Sequence, residues 1–378
     1  MRLRLCRIFM AALAGMLVGV PSVCADEASE PEPAPKVMRF VERVIAWYPN
    51  STFRLVKNER HQTPSGSYRF VEVERKCASQ LLTGSSPVLV DDNANTVWLG
   101  GIGQLPPIQD AGAGPEAMRN FLSTFLEDAL QASMNLKVKV EWDLGPRRPG
   151  AMMPLDLLID TGYGSYRRRA AVTSDGKYVV MGDDMPLDED PVAYRRQYLA
   201  TNPFVLWDNE TTEKATVEIV EFSDLECPAC KGKWPIVNSV LGKNPGAIRH
   251  GLVSFPLTMI HPWAFRASCA TWCVAQQDPK TLVAFKETFY ALQRDMEVEL
   301  VTPTSIDFVN GHDLDETAFL ECYLRPPSIE AVLEQMSLGQ EMGVRSTPTY
   351  FVNGWMVQVP DGIWFPAMVE RLLRGEEP

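Results

Sequence analysis

Two cysteines three residues apart, placed where a strand should give way to a helix, constrain this chain of 378 residues more than anything else in it. Residues 216 to 231 read T-V-E-I-V-E-F-S-D-L-E-C-P-A-C-K. The β-branched and aromatic residues Val217, Ile219, Val220 and Phe222 predict a buried strand. Pro228 follows the first cysteine and suits the first turn of a helix, because it has no amide hydrogen to leave unused there. On such a turn the α-carbons of Cys227 and Cys230 lie roughly 5 to 6 Å apart, within reach of an unstrained disulfide. The pair can therefore open and close without moving the backbone.

A helix N-terminus carries unpaired amides and partial positive charge, which favours an anion. Cys227 should accordingly ionise below the ordinary thiol value of about 8.5 and act as nucleophile, with Cys230 resolving the mixed disulfide. Glu221, between Val220 and Phe222, reads as a poorly solvated carboxylate with a raised pKa that exchanges a proton with Cys230. Residues 343 to 354, G-V-R-S-T-P-T-Y-F-V-N-G, place Pro348 at the start of a strand, in a tight turn that admits a cis Thr347-Pro348 bond. A cysteine pair can also be half of a zinc site, but there is no second C-x-x-C and the four histidines are scattered. No metal and no cofactor is expected.

Together these motifs resemble the thioredoxin-fold thiol-disulfide oxidoreductases of the bacterial periplasm, the Dsb family and its DsbA-like branch in particular. The resemblance covers about residues 200 to 378. It implies an α/β thioredoxin-like fold, catalysis by Cys227 and Cys230 with Glu221 beneath them, and a Thr347-Pro348 loop facing the disulfide. Family potentials run from about -270 mV to about -120 mV. The intervening Pro228-Ala229 lacks the histidine of the strongest oxidants and the glycine-proline of the reductases, so an intermediate potential is implied. Thr347 before Pro348 leans toward the isomerase group.

Residues 1 to 25 combine Arg2, Arg4 and Arg7 with an apolar run from Ile8 to Val20 and the small residues Val23-Cys24-Ala25. That is a secretory signal, with the mature protein beginning near Asp26. The apolar run of about 13 residues is too short to span a bilayer; a lipid-modified Cys24 is the other reading. Removing the signal takes the net charge from -12 to -15 and leaves Cys77, Cys227, Cys230, Cys269, Cys273 and Cys322 in an oxidising, periplasmic compartment. The acidic balance argues against nucleic acid and against a basic membrane-binding face.

Beyond a proline-rich leader at 26 to 36, expected to be extended, lies an α+β region with an internal repeat. Phe40 to Trp47 and Phe121 to Leu130 read as helices leading into strands at Phe53 to Lys57 and Leu136 to Trp142. Residues 90 to 100, V-D-D-N-A-N-T-V-W-L-G, match residues 172 to 182, V-T-S-D-G-K-Y-V-V-M-G, at an offset of 82. Two similar subdomains are expected, at 37 to 110 and 111 to 190, each a helix with a curled antiparallel sheet. The second resembles the small N-terminal domain of the periplasmic disulfide isomerases, which implies a homodimer through this region. A generic α+β region with aromatic hairpins is the alternative. A connection at 191 to 215 leads into the catalytic domain at 216 to 378.

His261-Pro262 opens a helical insert of about 80 residues, 261 to 342, with helices at 264 to 275, 280 to 292 and 329 to 342. The resemblance implies that it overhangs the cysteines as one wall of a groove for unfolded chains. It also implies a second disulfide here, Cys273 with Cys322, leaving Cys77 and Cys269 bonded to each other or buried as small hydrophobes. The expected function is disulfide exchange with unfolded or misoxidised exported proteins, fed by a membrane or soluble redox partner, with isomerase activity open. A thioredoxin-fold chaperone or binding module, or an electron donor dedicated to one partner, are the competing readings.

Overall fold

In a computed structural model, the described residues are 35–77, 82–107, 115–134, 137–143, 150–208, 215–358 and 360–378. The expected signal segment and most of the expected leader lie outside the described residues. The chain divides into two units, Met1–Pro191 and Val192–Pro378.

In the first unit, helix α1 (Pro35–Val44) precedes strands β1 (Ser51–Thr63), β2 (Gly66–Cys77), β3 (Leu82–Asp91) and β4 (Thr96–Gln104). Helix α2 (Pro115–Met134) precedes β5 (Val138–Trp142), β6 (Met152–Asp160), β7 (Ser165–Thr173) and β8 (Tyr178–Pro186). Each helix thus leads a four-stranded antiparallel meander. The meanders join into one eight-stranded sheet, ordered β1-β2-β3-β4-β8-β7-β6-β5. The seam is the β4–β8 ladder, where Gly100 pairs with Gly182 and Thr96 with Pro186. Strand alternation divides the core. Val71, Val88 and Val97 pack with α1, and Leu155, Leu157 and Val172 with α2. Tyr68, Leu89, Trp98 and Val180, of the opposite parity, form a separate cluster.

Two boundaries differ from expectation. Pro35 and Lys36 open α1 instead of closing an extended leader; proline is tolerated at a helix start, and Lys36 bonds Asp188 at 2.9 Å. The same helix stops at Val44, short of Trp47, where the Arg75 guanidinium takes the Ala46 carbonyl at 2.6 Å and lies over the Tyr48 ring.

Helix α3 (Pro191–Thr201) begins at the boundary and lies in the second unit from Val192 on, followed by β9 (Leu206–Trp207), β10 (Val217–Ser223), α4 (Pro228–Lys243) and β11 (Ile248–Ser254). Next come α5 (Ala264–Gln277), α6 (Leu282–Leu292), α7 (Val301–Gly311), α8 (Glu316–Cys322) and α9 (Pro326–Glu341), then β12 (Thr349–Val352), β13 (Trp355–Val357) and α10 (Trp364–Leu373). The sheet order is β13-β12-β10-β11-β9. Strand β10 runs parallel to β11 and antiparallel to β12, which puts the strand leading to the cysteines at the centre of a thioredoxin-like sheet. Asn353 and Gly354 take φ of 47° and 86°, the turn that joins β12 to β13. The insert holds two helices beyond the three read from periodicity. Of these, α7 is rich in Val and Thr, weak helix formers, and α8 is capped by Asp315, whose carboxylate accepts the Ala318 amide at 3.0 Å.

Candidate active site

Cys227 is the N-cap of α4, in extended conformation, with Pro228 in the first turn. It is 6 % exposed and Cys230 is fully buried; neither is in a disulfide. The Thr347-Pro348 bond is cis, and the Cys227 thiol donates to the Thr347 carbonyl across 3.4 Å. The loop carrying Pro348 therefore meets the nucleophile. The Thr347 hydroxyl is buried with no partner for its oxygen, so an ionised Cys227 gains it as a donor.

The two thiols are pushed in opposite directions. Cys227 is drawn down to about 6, chiefly by the hydrogen bond it accepts as thiolate from Cys230; burial opposes this, and Thr347 and the backbone amides of Cys230 and Ala229 add to the lowering. Cys230 is raised well above the ordinary thiol range by burial first, and then by the charge of Cys227. One thiol is thus the anion and the other the proton reserve.

Glu221 requires a correction. It lies on β10, wholly buried as expected, but its pKa is lowered to about 2, not raised. Burial is the largest influence and does raise it, yet the Lys286 ammonium at 2.8 Å and His250 at 3.5 Å together outweigh burial. Lys286 comes from α6, its ammonium 3.2 Å from the centroid of the Trp234 ring. His250 bonds Asp208 through Nδ1 and is raised to about 9; burial would lower it, but Asp208 and Glu221 prevail. Glu221 is therefore a fixed anion in a buried Asp208-His250-Glu221-Lys286 chain. The Tyr350 hydroxyl, on the strand paired with β10, is buried without a partner, and its titration is raised by burial and then by Glu221.

The insert grips the loop before Cys227. The Asp224 carboxylate accepts the Glu226 amide at 2.8 Å, the Leu257 amide at 2.9 Å and Nδ1–H of His261 at 2.6 Å. Glu226 accepts the amides of Trp263 and Ala264 at 2.8 and 3.0 Å, capping α5. Gln293 donates to the carbonyls of Leu225 and Cys227 at 2.8 and 3.1 Å. The sequence did not single out Lys286, His250, Asp224 or Gln293, and it marked His261 only as the opening of the insert. Lys286 left a signal: it interrupts the apolar stripe Leu282, Phe285, Phe289, Tyr290 on its helix.

Cys273 and Cys322 are joined, with α-carbons 5.8 Å apart. Cys77 and Cys269 are buried outside any disulfide. Among the described residues no three His, Cys, Asp or Glu gather as metal ligands, and no helix is long and apolar enough to cross a membrane.

A dithiol at a helix N-terminus, faced by a cis-proline loop and following the central strand of this sheet, defines a thioredoxin-fold redox protein. The thioredoxin family model matches residues 212–363. The chain is 30% identical over 170 residues to disulfide bond formation protein D of Bacillus subtilis, covering 43% of this chain and 76% of that one. It is also 30% identical over 141 residues to the Na(+)/H(+) antiporter NhaA 3 of Salinispora tropica, where the match spans 37% of this chain but only 21% of the antiporter. Similar solved structures include the catalytic domain of Proteus mirabilis ScsC (17% identity, TM-score 0.40, 49% and 97% of the two chains). Oxidised BdbD of Bacillus subtilis is another (24% identity, TM-score 0.40, 45% and 94%). The chain belongs to the DsbA-like family of thioredoxin-fold thiol-disulfide oxidoreductases.

Proposed function

We propose that this chain is an exported, periplasmic thiol-disulfide oxidoreductase that exchanges disulfides with protein substrates through Cys227 and Cys230. The observation that carries the reading is geometric: Cys227 caps α4 with Cys230 in its first turn, and its thiol meets the Thr347 carbonyl of the cis-proline loop at 3.4 Å. The two thiols are pushed in opposite directions, Cys227 down and Cys230 up. A nucleophile must be ionised near neutral pH to attack, and a resolving thiol must keep its proton until the mixed disulfide forms.

In the reducing direction, the Cys227 thiolate attacks one sulfur of a substrate disulfide. The substrate S–S bond breaks, a Cys227–substrate disulfide forms, and the other substrate sulfur leaves as a thiolate. Cys230 then loses its proton and attacks Cys227. The second substrate sulfur departs, the Cys227-Cys230 disulfide closes, and two electrons have moved to the substrate. Oxidation is the reverse sequence; isomerisation stops at the mixed disulfide, which a different substrate thiol releases. A Cys227 value near 6 lies between an unperturbed thiol, about 8.5, and the strongest oxidant thiols, about 3.5. This supports an intermediate potential, with the redox partner deciding the direction of flow.

The Cys273-Cys322 bond supports export, because such bonds persist in oxidising compartments. For the N-terminal unit we favour a self-sufficient platform over a homodimer, because β4 already finds its partner, β8, in the same chain. The test is exchange with a scrambled-disulfide substrate. The wild type should redistribute the disulfides and Cys227→Ser should not; a wild type without exchange would remove the enzyme reading.

A further inference from the structure

We infer that His261, seated on Asp224, is a positioning residue whose positive charge supports the Cys227 thiolate. This rests on the exchange reading above and deepens it. Asp224 is 1 % exposed and stands three residues before the nucleophile, and its carbonyl accepts the Cys227 amide at 3.1 Å. Two backbone amides, from Glu226 and Leu257, satisfy part of its carboxylate, but neither carries a charge. A buried carboxylate in the same loop as a forming thiolate opposes that thiolate unless a cation accompanies it.

His261 is that cation. Its Nδ1 lies 2.6 Å from Asp224 Oδ2, and the connection that bears it, between β11 and α5, also sends the amides of Trp263 and Ala264 to Glu226. The charged and titratable groups that act most strongly on it come from the cysteine loop, Asp224 first and then Cys227 and Glu226, each favouring its protonated form. The coupling is mutual. If an ionised Cys227 holds a proton on His261, a protonated His261 holds Cys227 ionised to the same extent. No proton needs to cross between them; the imidazolium stays charged while sulfur attacks, and while Cys227 leaves a mixed disulfide as thiolate. Sequence hides the arrangement because residue 261 is 34 positions beyond the cysteine.

The test uses the reduced full chain and reads Cys227 ionisation by thiolate absorbance and by alkylation rate against pH. Folding is checked by circular dichroism. His261→Gln keeps a donor for Asp224 but removes the charge, and should raise the Cys227 midpoint by about half a unit or more. His261→Lys, which keeps the charge, should stay near wild type. Asp224→Asn with His261→Gln, which removes anion and cation together, should return toward wild type even if the lysine variant does not fold. An unmoved midpoint in His261→Gln, or equal shifts in the glutamine, lysine and double variants, would overturn the role of His261. Wild-type exchange is assayed alongside, so that its absence would count against the oxidoreductase reading and not against this residue.

Discussion

The Lys286 ammonium lies 2.8 Å from the carboxylate of Glu221, and both side chains are buried to within 2 % of completely. That contact, together with His250, keeps Glu221 an anion at neutral pH although burial opposes it. Removing one member of a buried pair leaves the other charge uncompensated, at a cost of about 3 to 5 kcal/mol. Lys286→Met should lose that much stability at pH 7. The sign follows from Glu221. Its folded pKa of about 2 is depressed, so its contribution is present above the unfolded value of about 4.3 and fades as pH falls through 2. Without Lys286 the folded value rises, and the deficit of the variant should shrink on acidification. Urea titrations at pH 7 and pH 3 decide it; an equal deficit at both would mean that lost packing, not charge, is responsible.

The thiols give a second pH-dependent outcome. Alkylation of Cys227 should follow a single titration centred at about 6, while Cys230 stays unreactive in the folded protein. Because the folded Cys227 value lies below the unfolded thiol's, about 8.5, the reduced protein gains stability as pH rises from 6 to 8.5. That gain should be missing from Cys227→Ser. A reduced protein whose unfolding midpoint is flat across this window would contradict a stabilised thiolate.

The site was legible in sequence wherever chemistry and local geometry coincide. A strand, two cysteines and a proline lie within 15 residues, and Pro348 announces itself before a strand. What could not be read is what distant elements contribute. Glu221 was visible as a buried acid, but the sign of its shift depends on Lys286, 65 residues away on a helix of the insert, and on His250 from the neighbouring strand. The grip of Gln293 on the Cys227 carbonyl belongs to the same class. In the N-terminal unit the repeat was legible from the matched segments ending at Gly100 and Gly182. Their pairing was not, because nothing in either copy says which strand edge it will meet.

The insert disulfide should behave as a structural bond, separate from the redox pair. Cys273 and Cys322 close a loop over a separation of 49 residues, for which the chain-entropy relation gives about 4 kcal/mol. Replacing both by serine should lower stability toward that figure while leaving the Cys227 titration in place. Cys269, pushed up to about 12 by burial, should remain unalkylated in the native protein. Peptide mapping after native alkylation checks both; a label on Cys269 would show that the insert opens.

The seam of the N-terminal unit has the reciprocity of a two-fold interface. A β-carbon on Gly182 would fall 1.6 Å from the Leu99 carbonyl oxygen, and one on Gly100 would fall 2.2 Å from that of Met181. Residues 99 and 181, and 100 and 182, are equivalent positions of the repeat, so each copy presents to the other the contact it receives. Self-complementary contacts of this kind ordinarily join two identical chains; here both sides belong to one. The full chain should therefore sediment as a monomer at micromolar concentration. Gly182→Val has no room at the seam and should force β4 from β8, exposing two unpaired strand edges that invite association. The variant should consequently unfold at lower denaturant and form larger species. A wild-type dimer, or a valine variant as stable and monomeric as its parent, would show that the ladder does not close this unit on itself.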